Sequence, residues 1–234
     1  MPADRIIVAL DVPNAREALR LVERLGDAVR RYKIGSQIFT AAGPPIVKTL
    51  VKQGKGIFLD LKFHDIPNTV AGAVRAAADL GVEMLTVHAT GGPRMLAAAQ
   101  EAAGPDGPRV LAVTLLTSLG SDDVSRIFGR ASVSMVDDVV RLAGLAADAG
   151  VFGVVASVNE VKSIRRRHAG ALRVVTPGIR LAADEPGGDQ TRYATPQDAA
   201  RAGADYIVVG RSVTSAKDPA AAFREVAGAL DAGP

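Results

Sequence analysis

Short apolar runs alternate with amphipathic stretches along the whole chain. Arg5 to Leu10 is a continuous apolar run closed by Asp11, and from Asn14 onward Ala18, Leu21, Val22 and Leu25 recur at helical spacing. Such a change of period predicts a strand followed by a helix. Tyr32 to Ile34 is the second predicted strand, with Lys33 inside it and Gly35 ending it, before Pro44, Pro45, Ile46, Val47 and Leu50 open another helix. Ile57 to Lys62 is the third, followed by a turn at Ile66-Pro67-Asn68 and a helix carrying Val70, Val74, Ala77 and Leu80. Met84 to His88 is the fourth, and Gly91-Gly92-Pro93 leads from it into a helix with Met95, Leu96 and Ala99. Val110 to Thr114 is the fifth. The longest connection follows, from Thr117 to about Val133, rich in Ser and Asp with a short apolar piece at Ile127-Phe128, before a helix holding Val136, Val140 and Leu145. Gly153 to Val155, Arg173 to Thr176 and Tyr206 to Val209 complete the strands, with helices around Val161, Ala199 and Ala222 to Leu230.

Eight strand–helix units in one chain predict a closed (β/α)8 TIM barrel forming a single domain over residues 1–234. An open doubly wound sheet is the rival, weakened by the absence of a G-x-G-x-x-G turn after the first strand. In a barrel the active site lies at the C-terminal strand ends. The polar residues that end strands are therefore the candidates: Asp11, Lys33, Asp60, Lys62, His88, Thr114, Pro177 and Gly210-Arg211.

Composition narrows the chemistry. With 48% hydrophobic but only 4% aromatic residues, the core must be aliphatic. There is no Cys, which excludes disulfides, thiolate metal sites and cysteine nucleophiles, and suits a reducing compartment. The few apolar residues before Asp11 are too short for a signal peptide or a membrane span, so a cytoplasmic protein is expected. A formal charge of +3 is mild. The one basic cluster, Arg165-Arg166-Arg167-His168, reads as the solvated end of a helix, and no nucleic-acid motif accompanies it.

The densest chemistry lies between Phe58 and Asp65, where Asp60, Lys62, His64 and Asp65 fall within six positions after an apolar run. Strand alternation predicts Phe58, Asp60 and Lys62 on one face and Ile57, Leu59 and Leu61 on the other. Buried ion pairs are poor stabilisers, so two carboxylates and an ammonium at a strand end suggest a site; a solvated strand end with ordinary salt bridges remains open. Phosphate is suggested by the last two strand ends. Val209-Gly210-Arg211-Ser212 offers a close backbone approach and a guanidinium fork, while Thr176-Pro177-Gly178-Ile179-Arg180 runs into a polar loop through Gln190 and Arg192, long enough to close over a ligand.

Five blocks, in this order, resemble the orotidine 5'-phosphate decarboxylase family of the bacterial type: Asp60-Leu61-Lys62-Phe63-His64-Asp65-Ile66-Pro67-Asn68-Thr69, Leu116-Thr117-Ser118, Thr176-Pro177-Gly178-Ile179-Arg180, Asp189-Gln190 and Val209-Gly210-Arg211-Ser212. The resemblance runs from about Ile6 to Leu230. It implies cofactor-free and metal-free decarboxylation of orotidine 5'-monophosphate to uridine 5'-monophosphate. By the same resemblance Asp11 and Lys33 would hold ribose hydroxyls, Lys33 would join a charge network with Asp60, Lys62 and Asp65, and Lys62 would donate the proton. Asp65, Ile66 and Thr69 would reach into a neighbouring subunit's site, making a homodimer with composite sites. Thr117 would contact the pyrimidine, Pro177 would line the substrate, and Gln190, Gly210 and Arg211 would hold the phosphate with Arg180 on its rim.

The chemistry agrees with that implication. Decarboxylation in the plane of a pyrimidine leaves a carbanion that no π-system drains, so fixed charge must lower the barrier. A lysine cation can oppose that charge and then supply the proton. A Schiff-base lysine would need the free amine, for which flanking carboxylates are poor company. A metal-dependent sugar-phosphate decarboxylase or aldolase barrel stays open as an alternative, with Lys33 standing where an acidic ligand would be expected. A non-catalytic phosphate-binding barrel also stays open. His64 and His88 stay open as catalytic bases, with loop orientation through hydrogen bonds the preferred reading beside this lysine.

Overall fold

The strands β1 Ile6–Ala9, β2 Arg31–Gly35, β3 Gly56–Phe63, β4 Met84–His88, β5 Arg109–Val113, β6 Gly153–Val155, β7 Arg173–Ile179 and β8 Tyr206–Val209 are parallel and close into a barrel in chain order. The computed structural model describes residues 2–168, 170–181 and 193–233. Parallel strands buried on both faces need apolar side chains on both, and here the two faces feed two separate cores. Ile7, Ala9, Phe58, Met84, Leu111, Val175 and Val208 fill the barrel interior. Their strand neighbours, among them Ile6, Val8, Ile57, Leu59, Ile207 and Val209, pack outward against the helices. The inward and outward sets alternate residue by residue, as the pleat requires.

The outer ring is formed by α1 Ala15–Leu25, α2 Ser36–Ala42, α3 Pro44–Lys52, α4 Pro67–Asp79, α5 Gly92–Ala103, α6 Ser121–Phe128, α7 Met135–Asp148, α8 Val158–His168, α9 Pro196–Ala202, the short α10 Arg211–Thr214 and α11 Pro219–Asp231. Local chemistry starts them. Asn14 accepts from the Glu17 N–H at 3.0 Å, and Ser134, Thr195 and Asp218 cap α7, α9 and α11 in the same way.

The predicted strands all occur, with β7 three residues longer than expected. Three helices, α2, α6 and the short α10, were not anticipated. In the connection expected to be irregular, α6 begins where the Gly120 N–H meets the Asp123 carboxylate at 3.0 Å and ends at Gly129 in the left-handed conformation. Only Val124 of this helix is buried, so its sequence lacks the apolar stripe that announces a helix. Likewise α2 buries only Ile38. The basic end of α8 also departs from expectation: Arg165 donates to the Gly203 and Leu172 carbonyls and pairs with Asp205, and His168 contacts the Val140 carbonyl. Two of its four basic residues are therefore structural ties. Among the described residues no helix is long and apolar enough to cross a membrane.

Candidate active site

At the C-terminal rim the inward rows change from apolar to polar. On β1 the row Ile7, Ala9 leads to Asp11; on β2 it reaches Lys33; on β3 Phe58 is followed by Asp60; on β4 Met84 is followed by Thr86 and His88. Lys33 Nζ donates to Asp11 Oδ1 at 2.8 Å and lies 3.8 Å from Asp60 Oδ2. Lys62 Nζ donates to both Asp60 oxygens at 2.9 Å. The side chains of Lys33 and Asp60 are each 12% exposed, against 33% for Lys62 and 55% for Asp11, so the chain of charges is nearly closed in its middle and open at both ends.

Lys62 reaches Asp60 by a route that simple alternation does not provide. Leu59 pairs with Leu85, but the next paired residue, Phe63, lies opposite Val87, so β3 carries a two-residue bulge against β4. Within it Lys62 has φ +53, the left-handed region that a residue with a Cβ enters at a cost of about 1–2 kcal/mol. The bulge is held by a ring of hydrogen bonds. The Lys62 N–H donates to Thr86 Oγ1 at 2.8 Å, and Thr86 Oγ1 donates to Asp60 Oδ1 at 3.0 Å, while Thr86 itself is fully buried. The expected meeting of Asp60 and Lys62 therefore occurs, through a fold-back of the lysine and not through a shared strand face.

A second bulge lies across the rim. Thr176 pairs with Ile207 and Ile179 with Val209, so Pro177-Gly178 contain one extra residue, with Gly178 at φ +77. Beyond it the Arg180 N–H donates to the Ala194 carbonyl and the Ala194 N–H to that of Gly178, and the Arg180 guanidinium lies 5.1 Å from the Tyr193 ring centre. These bonds pin the two described ends of the loop expected to reach the ligand; Gln190 and Arg192 lie outside the described residues. Beside β7, β8 ends at Gly210, over which a Cβ would find nothing within 4 Å, and Arg211 is exposed at the start of α10.

Asp65, Ile66 and Thr69 are exposed on the turn into α4 and its first residues. In the single chain Asp65 does not join the lysines; its carboxylate accepts from the Ile66 N–H at 2.6 Å, because the chain turns outward after Phe63. Asp11, Lys33, Asp60 and Lys62 come together within one chain, and Asp65, expected in a neighbouring subunit's site, stands apart from them. Thr117 is half-buried in the connection after β5. His64 and His88 meet each other, with ring centres 5.2 Å apart.

Two residues of the site escaped sequence reasoning. Thr86 stands at an inward position between Met84 and His88, and a polar side chain in that row was the available signal. Gly35 carries no signal in its type, yet a Cβ there would lie 3.0 Å from Lys33 Nζ and 3.4 Å from Asp11 Oδ1.

The fold and this rim define a (β/α)8 barrel enzyme with paired lysines and carboxylates at the C-terminal ends of its strands. The chain belongs to the orotidine 5'-phosphate decarboxylase / HUMPS family, whose model matches residues 4–226. It is 49% identical over 228 residues to the orotidine 5'-phosphate decarboxylase of Nitrosococcus oceani, covering 97% of each chain. To that of Nitrosospira multiformis it is 50% identical over 216 residues, covering 92% of this chain and 89% of the relative. The crystal structure of orotidine 5'-phosphate decarboxylase from Lactobacillus acidophilus superposes with a TM-score of 0.85 at 39% identity, covering 97% of this chain and 99% of that one.

Proposed function

We infer that this chain converts orotidine 5'-monophosphate to uridine 5'-monophosphate and CO2 in pyrimidine biosynthesis, with Lys62 as the proton donor. The observation that carries the reading is the Asp11–Lys33–Asp60–Lys62 chain, which holds the Lys62 ammonium at an accessible end with Asp60 and Lys33 nearly buried behind it. The bond from the ring carbon to its carboxylate breaks, CO2 leaves, and the electron pair stays on that carbon in the ring plane. The Lys62 ammonium faces the growing charge and then gives the carbon its proton, and solvent restores the lysine. Lys33 and Asp11 hold ribose hydroxyls, and Asp60 orients Lys62 from within the bulge.

The phosphate lies at the ends of β7 and β8, against Gly210 and the Arg211 guanidinium, with Pro177 and Arg180 on the same side and Thr117 at the pyrimidine; Gln190 is assigned to the phosphate by the family resemblance alone. Support comes from the open space above Gly210 and the exposure of Arg211. Arg211→Ala should lower kcat/KM for the nucleotide by roughly thirty- to a thousandfold, the worth of a charged hydrogen-bonded contact, and barely change the already poor rate with the nucleoside. Equal loss with both substrates would assign Arg211 to the barrel and remove the phosphate from this rim.

The working unit is a homodimer in which the partner receives Asp65, Ile66 and Thr69; the 67% exposure of Ile66, a large apolar side chain next to the site, supports this. The reaction belongs to the cytoplasm and needs no metal or organic cofactor. Among the described residues no group of three or more His, Asp or Glu is arranged to hold a metal ion. A spectrophotometric assay of orotidine monophosphate turnover with a chelator present is the direct test. Full activity is expected; activity abolished by the chelator and restored by a divalent ion would favour a sugar-phosphate chemistry instead.

A further inference from the structure

The turn that leaves β3 carries Asp65 and Ile66, yet the described contacts give it few anchors of its own. The Asp65 carboxylate is spent on the next backbone N–H, and Ile66 stands in solvent. His64 is the exception. Its ring lies 5.2 Å from that of His88, tilted by 40°, and on the β4–α5 side it comes so near Gly91 that a Cβ there would be 3.3 Å from His64 Cδ2 and 2.1 Å from Met95 Sδ. His64 is exposed, and its ring rests against His88 and the Gly91 side of the β4–α5 connection. Any side chain at position 91 would crowd it.

We propose that His88 is a positioning residue, whose ring seats that of His64 and thereby fixes the Asp65–Ile66 turn at the mouth of the site. The inference rests on the reading that this turn serves the site. The groups that face His88 are His64 from the turn and Lys62 and Asp60 from β3; on β5 its register partner is the uncharged Val113, and no charge from α5 acts on it. Burial first, then His64 and Lys62, push the His88 imidazole below its ordinary range, and Asp60 opposes them. At neutral pH the His88 ring is uncharged and can pack against the His64 ring. A proton on His88 would place a cation beside Lys62 and against the other ring, which favours separation.

Amide hydrogen exchange of the segment containing Asp65 and Ile66, measured beside the pH profile of kcat/KM, tests this in the full chain. His88→Ala should speed exchange there and lower kcat/KM at neutral pH on the order of ten- to a hundredfold, the effect of a misplaced group near a reacting centre. His88→Phe keeps a ring that cannot titrate. It should restore protection and most of the rate, and move the acid-side fall of kcat/KM to lower pH. His64→Ala, which leaves His88 in place, should loosen the same segment and stands in should His88→Ala fail to fold. Wild-type exchange in both alanine variants would overturn the proposal, as would a phenylalanine variant no better than alanine. Faster exchange in His88→Ala with an unchanged kcat/KM would keep the positioning role and sink the reading that the turn serves the site.

Discussion

The barrel carries charge clusters at both ends, and they are built differently. At the N-terminal end Arg31 forks onto both oxygens of Glu83 at 2.9–3.1 Å while Arg109 lies 3.4 Å from the same carboxylate. The two guanidinium groups also cover the Tyr206 and Phe152 rings, at 5.8 and 4.9 Å. Nearby, Asp205 takes Arg165, Arg173 and the Val174 N–H. These are arginine forks on carboxylates with most lone pairs engaged, joined by regular strands. In the Asp11–Lys33–Asp60–Lys62 cluster at the C-terminal end the cations are lysines, one of them on a bulge with a left-handed backbone, and each is a point charge with donors to spare. Charge at a strand end is therefore no sign of chemistry by itself. What separates a brace from a site is the fit of donor to acceptor and the backbone distortion that one end tolerates and the other lacks.

The largest effect expected from this contrast is at Lys62. Lys62→Ala removes the cation and the proton together, so turnover of orotidine monophosphate should fall by about a thousandfold or more. The melting temperature should hardly move, because Asp60 keeps Thr86 and has Lys33 at 3.8 Å. Lys62→Gly should be equally inactive but melt higher than Lys62→Ala, since glycine accepts φ +53 without strain. More than a few per cent of the wild-type rate in either variant would move the proton donor elsewhere.

Glu83→Ala makes the converse cut. It leaves Arg31 and Arg109 facing each other at the N-terminal end, with the glutamate side chain 25% exposed and those of the arginines 21% and 45%. Solvent screens part of the loss, so about 1–3 kcal/mol of stability is expected to go. That corresponds to roughly 2–10 °C in a thermal melt for a chain of this size. The kcat/KM of the folded enzyme should stay within about twofold, since nothing here touches the C-terminal rim. A variant that keeps its melting temperature but loses activity would erase the distinction between the two ends.

The sequence alone carried the barrel and most of its rim, because buried parallel strands and amphipathic helices differ in period and the acting residues end strands. It could not carry the bulges. Alternation placed Asp60 and Lys62 on one face, whereas their contact depends on how β3 slips against β4, a property of the pair of strands. Arg165 illustrates the same limit: its partners at Leu172, Gly203 and Asp205 are remote along the chain or carbonyls that any residue could supply. Gly35 was silent for a different reason, since its contribution is the space it leaves.

That space gives the smallest effect and the finest test of the rim. Gly35 has φ −94 and ψ −178, an extended backbone that alanine adopts freely, so the substitution carries no conformational strain. The added methyl would lie 3.0 Å from Lys33 Nζ, closer than carbon and nitrogen ordinarily pack, and 3.4 Å from Asp11 Oδ1. The nearer atom is the end of a flexible side chain, so the lysine yields and the barrel does not. A shift of a few tenths of an ångström disturbs its 2.8 Å bond to Asp11 and its approach to Asp60. In a site that works by fixed charge, this should lower kcat/KM by about three- to tenfold. Stability should stay level or rise by up to about 1 kcal/mol, because alanine restricts the unfolded chain more than glycine does. Measured together, a slower enzyme that melts no lower would place Gly35 with the acting end of the barrel. A lower melting temperature with an unchanged rate would mean that Lys33 and Asp11 brace this end as Glu83 braces the other.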